Sequence, residues 1–283
     1  TPDLLDHAGA WALSLSFLPL YLAVTGALVV PFYRYIGGFD RTTAYFAGMP
    51  GGLNEMYFIG KAMGGDDRKI VLAHASRIFI VVCLMAAWFR LVAGYELGDR
   101  SRFGVAFADI PAPELMVLAL CGVLGYFAGR QLRLPAPTLV GPMLVSAAAH
   151  MAGLAHVPPP QEVVLVAQLF LGTIIGCRFI GAAPASVGRA LLLSLGASAI
   201  MLAVTAVFAG LLHGLFRQTT EQVLLAYSPG GLAEMSLVAL AMNAEVAYVA
   251  SHHIVRITLV ILCAPLLFSL LDRWRRDRTR RKE

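Results

Sequence analysis

Charge is scarce in this sequence. Only 14% of its 283 residues are Asp, Glu, Lys or Arg, against about a quarter in soluble domains. Polar side chains are therefore too few to cover a globule of this size in water, which excludes ordinary soluble, disordered and nucleic-acid-binding classes. Cysteine is sparse as well. Cys83, Cys121, Cys177 and Cys263 stand apart with no CxxC pairing, so they read as small core residues, not as a disulfide frame or zinc site. The seven histidines are dispersed apart from His252-His253. No HExxH-type spacing occurs, so neither a metal nor another cofactor is expected. No cleavable signal peptide is evident. Because residue 1 is Thr, the start of translation is expected to lie upstream.

What the chain has in abundance is apolar surface: 58% of residues are hydrophobic and mean hydropathy is +0.73. This composition predicts an all-α polytopic membrane protein. A spanning helix needs about 20 mostly apolar residues, and suitable runs occur near 11–33, 68–89, 112–129, 136–154, 161–181, 187–215 and 246–271. Two further apolar stretches, 43–64 and 223–243, are each cut by Pro-Gly-Gly, at Pro50-Gly51-Gly52 and Pro229-Gly230-Gly231. Proline removes a donor and clashes with the preceding turn, and paired glycines permit backbone angles closed to other residues. Each stretch is expected to be a broken helix or a re-entrant hairpin with its tip at membrane depth.

Loop charge chooses between those forms. The formal charge of +5 is concentrated at the end, where 272–283 carries seven Lys/Arg against three acidic residues. Such a tail marks the cytoplasmic side under the positive-inside rule, at an anionic inner leaflet. With re-entrant stretches, 16 basic loop and tail residues fall inside and 4 outside; with stretches that span fully, the split is 13 to 7. The re-entrant arrangement is the better reading.

Self-similarity is the strongest pattern. Pro50-Gly51-Gly52-Leu53-Asn54-Glu55-Met56 returns 179 positions later as Pro229-Gly230-Gly231-Leu232-Ala233-Glu234-Met235. The same offset matches Ala62-Met63 to Ala241-Met242, His74 to His253 and Arg77-Ile78 to Arg256-Ile257. Apolar bias cannot set PGGLxEM and HxxR in register twice, so the sequence contains an internal duplication. The expected organisation is a first unit over 1–95, a connecting loop over 96–111, a second unit over 112–272 and a basic cytoplasmic tail over 273–283. With five full spans and one re-entrant element in the second unit, the two units are expected to be inverted relative to each other. Inverted repeats with broken elements meeting near the midplane characterise secondary transporters. Comparing the units also predicts a native protein longer by roughly 70 N-terminal residues.

Arg77 and Arg256 lie inside apolar helices, each three residues after a histidine, so His74 with Arg77 and His253 with Arg256 share a helix face. An arginine at the bilayer centre costs about 2.5–3.5 kcal/mol on insertion scales, so each should have a partner, and Glu55 and Glu234 are the obvious ones. One reading makes each Glu–Arg pair a lock between a re-entrant arm and the next helix. The other makes it a solute or proton site, with arginine as a fork for carboxylate and His or Glu titrating. At the PGG tips, free N–H groups and a helix N-terminus can cradle an anion. Asn54 and Ser228 add polar groups that differ between the units. Gln168, in a run with Gly172 and Gly176, is a weaker candidate, and Tyr227 and Tyr248 read as packing residues. The expected solute-binding set is Pro50, Gly51, Gly52, Asn54, Glu55, His74, Arg77, Gln168, Ser228, Pro229, Gly230, Gly231, Glu234, His253 and Arg256.

The duplicated PGGLxEM…HxxR pattern, with SPGGLAEM at 228–235, resembles the membrane-embedded AbrB family, which is unrelated to the small DNA-binding regulators that share the name. The family is similar to the bile-acid, glutamate and cation–proton carriers with inverted five-helix units. The resemblance implies a secondary transporter moving a small anionic organic solute by alternating access, coupled to H⁺ or Na⁺. It also implies a multi-pass location in a bacterial inner membrane, the C-terminus cytoplasmic, with a homodimer as an open expectation and no nucleic-acid partner. The alternative is a membrane-bound regulator of gene expression acting indirectly. Some relatives are also named for ammonia oxidation, but that chemistry needs clustered His and carboxylate ligands on copper or iron, and an arginine one turn from each histidine would repel the cation. No enzyme is expected.

Overall fold

With no water to satisfy them, backbone donors inside hydrocarbon must pair within their own segment, which favours helices. The computed structural model of the chain describes residues 8–91, 105–132, 137–216, 219–242 and 244–280, and among them it contains helices, turns and no strand. Helices α1 (Ala8–Ser16) and α2 (Leu18–Pro31) continue through one π turn at Phe32–Ile36. Then come α3 (Arg41–Gly48), α4 (Leu53–Ala62) and α5 (Asp67–Leu91). After a 3₁₀ turn at Phe107–Asp109 follow α6 (Ala112–Gln131), α7 (Pro137–Met151), α8 (Gln161–Cys177) and α9 (Pro184–Phe216). The last three are α10 (Thr220–Tyr227), α11 (Leu232–Ala241) and α12 (Val246–Arg280).

Among the described residues, five segments are long and apolar enough to cross a membrane: Trp11–Ile36, Asp67–Trp88, Ala112–Gln131, Pro184–His213 and Val246–Trp274. This is a multi-pass membrane protein. Of the seven expected spans, α7 and α8 are the short ones, with 15 and 17 residues, near the lower limit of about 17 for a crossing. The expected basic tail is the direct continuation of α12 as far as Arg280. Residues 96–104 of the expected connecting loop lie outside the described residues.

The duplication governs the helix boundaries. Helices α3 and α4 start and end 179 positions before α10 and α11 at both ends, and α5 starts 179 before α12. In each unit the PGG triplet is the non-helical break between two short helices. Asp40 caps α3 by accepting from Thr43 N at 3.0 Å, and Thr219 caps α10 by accepting from Gln222 N at 3.3 Å. The first pair folds back on itself. Asp66 N, beyond the end of α4, donates to Thr43 Oγ1 at 2.8 Å, in the first turn of α3, so the chain arrives at this hairpin and departs from it at one end.

Packing between units holds the hairpins in place. Tyr45 and Phe46 of α3 pack with Met56 of α4 and with Val260 and Phe268 of α12. Tyr227 at the end of α10 meets Tyr21 of α2 edge to face, with ring centroids 5.2 Å apart. Helices α6 and α7 form a close pair, because a Cβ on Gly125 would come within 2.4 Å of Pro142 Cα. The cysteines correct an expectation: Cys121 is buried, but Cys83, Cys177 and Cys263 are exposed. In a membrane protein the outer face is itself apolar, so an apolar run does not identify the core.

Candidate functional site

Each PGG break frees backbone carbonyls that its helices cannot use, and in both units the buried arginine takes them. Arg77 donates from Nη1 to Met49 O at 3.1 Å and from Nη2 to Gly51 O at 3.3 Å. Arg256 donates from Nη1 to Ser228 O, and from Nη2 to Gly230 O at 2.7 Å. The histidines complete the pattern. His74 Nδ1 lies 2.9 Å from Arg77 Nη2 and its Nε2 lies 2.9 Å from Phe46 O. His253 repeats this at 2.9 Å from Arg256 and 3.0 Å from Leu225 O. A guanidinium only donates and a carbonyl only accepts, so each imidazole is fixed as the neutral form with its proton on Nε2. Every acceptor in one cage sits 179 positions from its counterpart.

The expected Glu–Arg pairs do not form. The guanidiniums are occupied by carbonyls released at the breaks and by the cage histidines. Glu55 and Glu234 instead fold back over Gly52 and Gly231, the N-caps of α4 and α11. A Cβ at those glycines would stand 2.0 and 1.9 Å from the carboxylate Oε2 atoms. The reason for glycine also differs from the one expected. Gly52 has φ −67° and Gly231 φ −82°, ordinary extended backbone. What these positions need is the missing side chain. The same holds at Gly51, where a Cβ would meet Val260 Cγ1 at 2.8 Å.

Between the two breaks lies a cavity of about 200 Å³. Of the expected residues, Gly51, Gly52, Asn54 and Arg77 line it from the first unit, and Gly230, Gly231, Glu234 and Arg256 from the second. Arg77 and Arg256 are 2% and 1% exposed, and the Nε of each lacks a hydrogen-bond partner among the described residues. Two cationic forks thus border the space, each with a spare donor, alongside the N-termini of α4 and α11, whose dipoles favour negative charge.

The other expected residues stand behind or away from the cavity. His74 and His253 are buried in the cages, where they orient the arginines. Ser228 contributes its carbonyl to Arg256, while its hydroxyl donates to Leu225 O at 3.0 Å. Pro50, Pro229 and Glu55 shape the breaks without facing the space, and Gln168 on α8 does not reach it. Sequence reasoning missed the wall that α8 provides: Leu171, Ile174, Ile175 and Arg178. Their spacing of three and four residues marks one helix face, but nothing in the repeat pointed to it. Arg178 Nη2 donates to Asn54 Oδ1 at 3.2 Å. Outside the spanning segments, a hydrogen bond with Asp67, and then one with Tyr57, holds the Lys61 amine above its usual pKa.

Comparison with known proteins agrees with the resemblance drawn from the motifs. The family model described as Transition state regulatory protein AbrB matches residues 1–272. The chain is similar to protein YhjN of Bacillus subtilis (strain 168), 27% identical over 247 residues, which are 82% of this chain and 64% of that protein. It is similar also to the regulator AbrB of Escherichia coli (strain K12), 26% identical over 266 residues, covering 91% of this chain and 73% of that one. The chain therefore spans a little under two thirds of the Bacillus relative's length. No solved structure matches.

Proposed function

The chain belongs to the AbrB family, and from that premise we propose that it is the membrane-embedded core of a secondary transporter for a small anionic organic solute. The observation that carries this reading is the paired cage: two buried arginines, each with a spare Nε–H, bordering one cavity between two broken hairpins. Broken elements that meet across a repeat are where carriers bind their cargo. A charged N–H left over on each arginine can give a carboxylate a charge-assisted hydrogen bond, and the aliphatic wall of α8 suits a short carbon chain. Glu234, at the same cavity, is the group we assign to coupling with H⁺ or Na⁺. The site is one of binding, not bond breaking, so we assign no enzyme activity. The protein resides in the inner membrane of a bacterium with its C-terminus cytoplasmic.

Binding to the folded state raises stability in proportion to ligand concentration over Kd. A thermal-unfolding screen in detergent against short mono- and dicarboxylates, followed by uptake into proteoliposomes, tests the proposal. Stabilisation by carboxylates and not by matched amines is expected; folded protein that neither binds nor moves any of them refutes it. The second reading, a membrane-bound regulator, is favoured by the name of the Escherichia coli relative. It predicts that solute binding without flux changes gene expression.

A further inference from the structure

A second cavity, of about 700 Å³, opens where residues 37–39, 66–69 and 178–193 come together. Its ionisable lining is Arg68, Lys69, Arg178 and Arg189 against Asp66 and Asp67, an excess of two positive charges. Part of that charge is committed: Lys69 Nζ lies 2.9 Å from Asp66, and Arg189 Nη2 donates to Gly37 O at 2.8 Å. Arg178 is the residue common to the linings of both cavities. It caps the C-terminus of α8 and is followed by a turn through Gly181 at φ +76°. Its guanidinium is tied to Asn54 Oδ1, a neutral amide, at 3.2 Å. The matching position in the second unit is Ala233, so the tie exists on one side of the inner cavity.

We infer that Arg178 is the electrostatic gate between the outer and inner cavities, selecting small anions and handing them to Arg77 and Arg256. The inference rests on the binding site proposed above. A single bond to a neutral acceptor is weak beside a bidentate, charge-assisted bond to a carboxylate, so an arriving anion can draw the guanidinium off Asn54 and open the passage. An arriving cation meets an unneutralised charge where the two cavities share their lining, and is turned back. Arg178 is itself exposed, and the net positive lining of the outer cavity raises the local concentration of anions beside it.

Thiol labelling tests the gate without knowledge of the solute. In a variant with all four cysteines replaced, Ile257→Cys places a thiol on the inner cavity lining and Ser186→Cys one on the outer. Methanethiosulfonates of matched size, one anionic and one cationic, report the charge preference at each. At Ile257→Cys the anionic reagent reacts faster, and Arg178→Gln lowers the anion-to-cation rate ratio by about tenfold, the low end of such local enrichment. Arg178→Lys keeps the preference, and Asn54→Ala raises the anionic rate. A ratio at Ile257→Cys that stays within about twofold in Arg178→Gln overturns the gate. So does an inner thiol that stays unreactive while Ser186→Cys reacts normally. Neither outcome touches the carboxylate screen, and a negative screen with a tenfold fall here would refute the transport reading while leaving the gate.

Discussion

At the scale of single residues, the arginines are instructive because their charge is answered by dipoles. Arg256 spans two break carbonyls and an imidazole, and so does Arg77, but with Nη2 3.3 Å from Gly51 O where Arg256 has 2.7 Å to Gly230 O. A lysine has one nitrogen and cannot hold all three acceptors in one plane. Each buried acceptor left unsatisfied costs about 1–3 kcal/mol. Arg256→Lys is therefore expected to destabilise by about 2–4 kcal/mol, and Arg77→Lys by less, because its bonds are longer. Unfolding monitored by intrinsic fluorescence in detergent would show the order, and an equal loss in both would mean that the carbonyl bonds are not what holds the cages. The HxxR spacing made this much legible: a histidine and an arginine on one helix face, twice. It could not show the partner. Side-chain spacing along a chain identifies neighbours on one helix, whereas the carbonyls at Met49 and Ser228 become available only once the breaks are folded against that helix.

Among elements, glycine separates two kinds of close contact. At Gly52 and Gly231 the atom in the way is the far end of a glutamate, which can swing aside. Alanine at either position should cost under about 1 kcal/mol in stability while shifting the carboxylate, an effect to be read in solute affinity. Between α6 and α7 the contact is backbone on backbone: a Cβ on Gly125 would stand 2.4 Å from Pro142 Cα, and one on Gly141 2.0 Å from Gly125 O. Membrane helices draw much of their association from such small-residue packing. Gly125→Ala should therefore spread the pair and cost about 2 kcal/mol or more, while Gly122→Ala, which meets nothing within 4 Å, should be silent. A denaturation series on the two variants checks the contrast. The breaks themselves were readable, since proline followed by two glycines interrupts a helix, while the expected stretches 43–64 and 223–243 gave the outer helix ends only to within a few residues. The wall supplied by α8 was not, because Leu171, Ile174 and Ile175 look like any apolar face until the breaks are placed opposite them.

For the molecule as a whole, the contacts sort the loops into two ends. Arg189 donates to Gly37 O at 2.8 Å, Asp66 N donates to Thr43 at 2.8 Å, and Arg41 pairs with Asp272 at 2.8 Å. Loops 34–41, 61–69 and 178–189 and the end of α12 thus gather together. At the other end of α8, Gln161 N donates to Val105 O at 3.0 Å, and His156 pairs with Glu114 at 3.1 Å. Had the interrupted stretches passed straight through, 61–69 and 178–189 would lie opposite 34–41, which those hydrogen bonds forbid. On the orientation proposed above, the crowded, basic end faces the cytoplasm, as the positive-inside rule expects. A single cysteine at Arg68 or at Ser186, in an otherwise cysteine-free chain, should therefore react with a membrane-impermeant thiol reagent in inside-out vesicles, and one at Ala106 only in right-side-out cells. Arg68 and Ala106 labelled from the same side would break the two-ended arrangement, since α5, 25 residues and about 37 Å long, is what carries the chain from the one end toward the other.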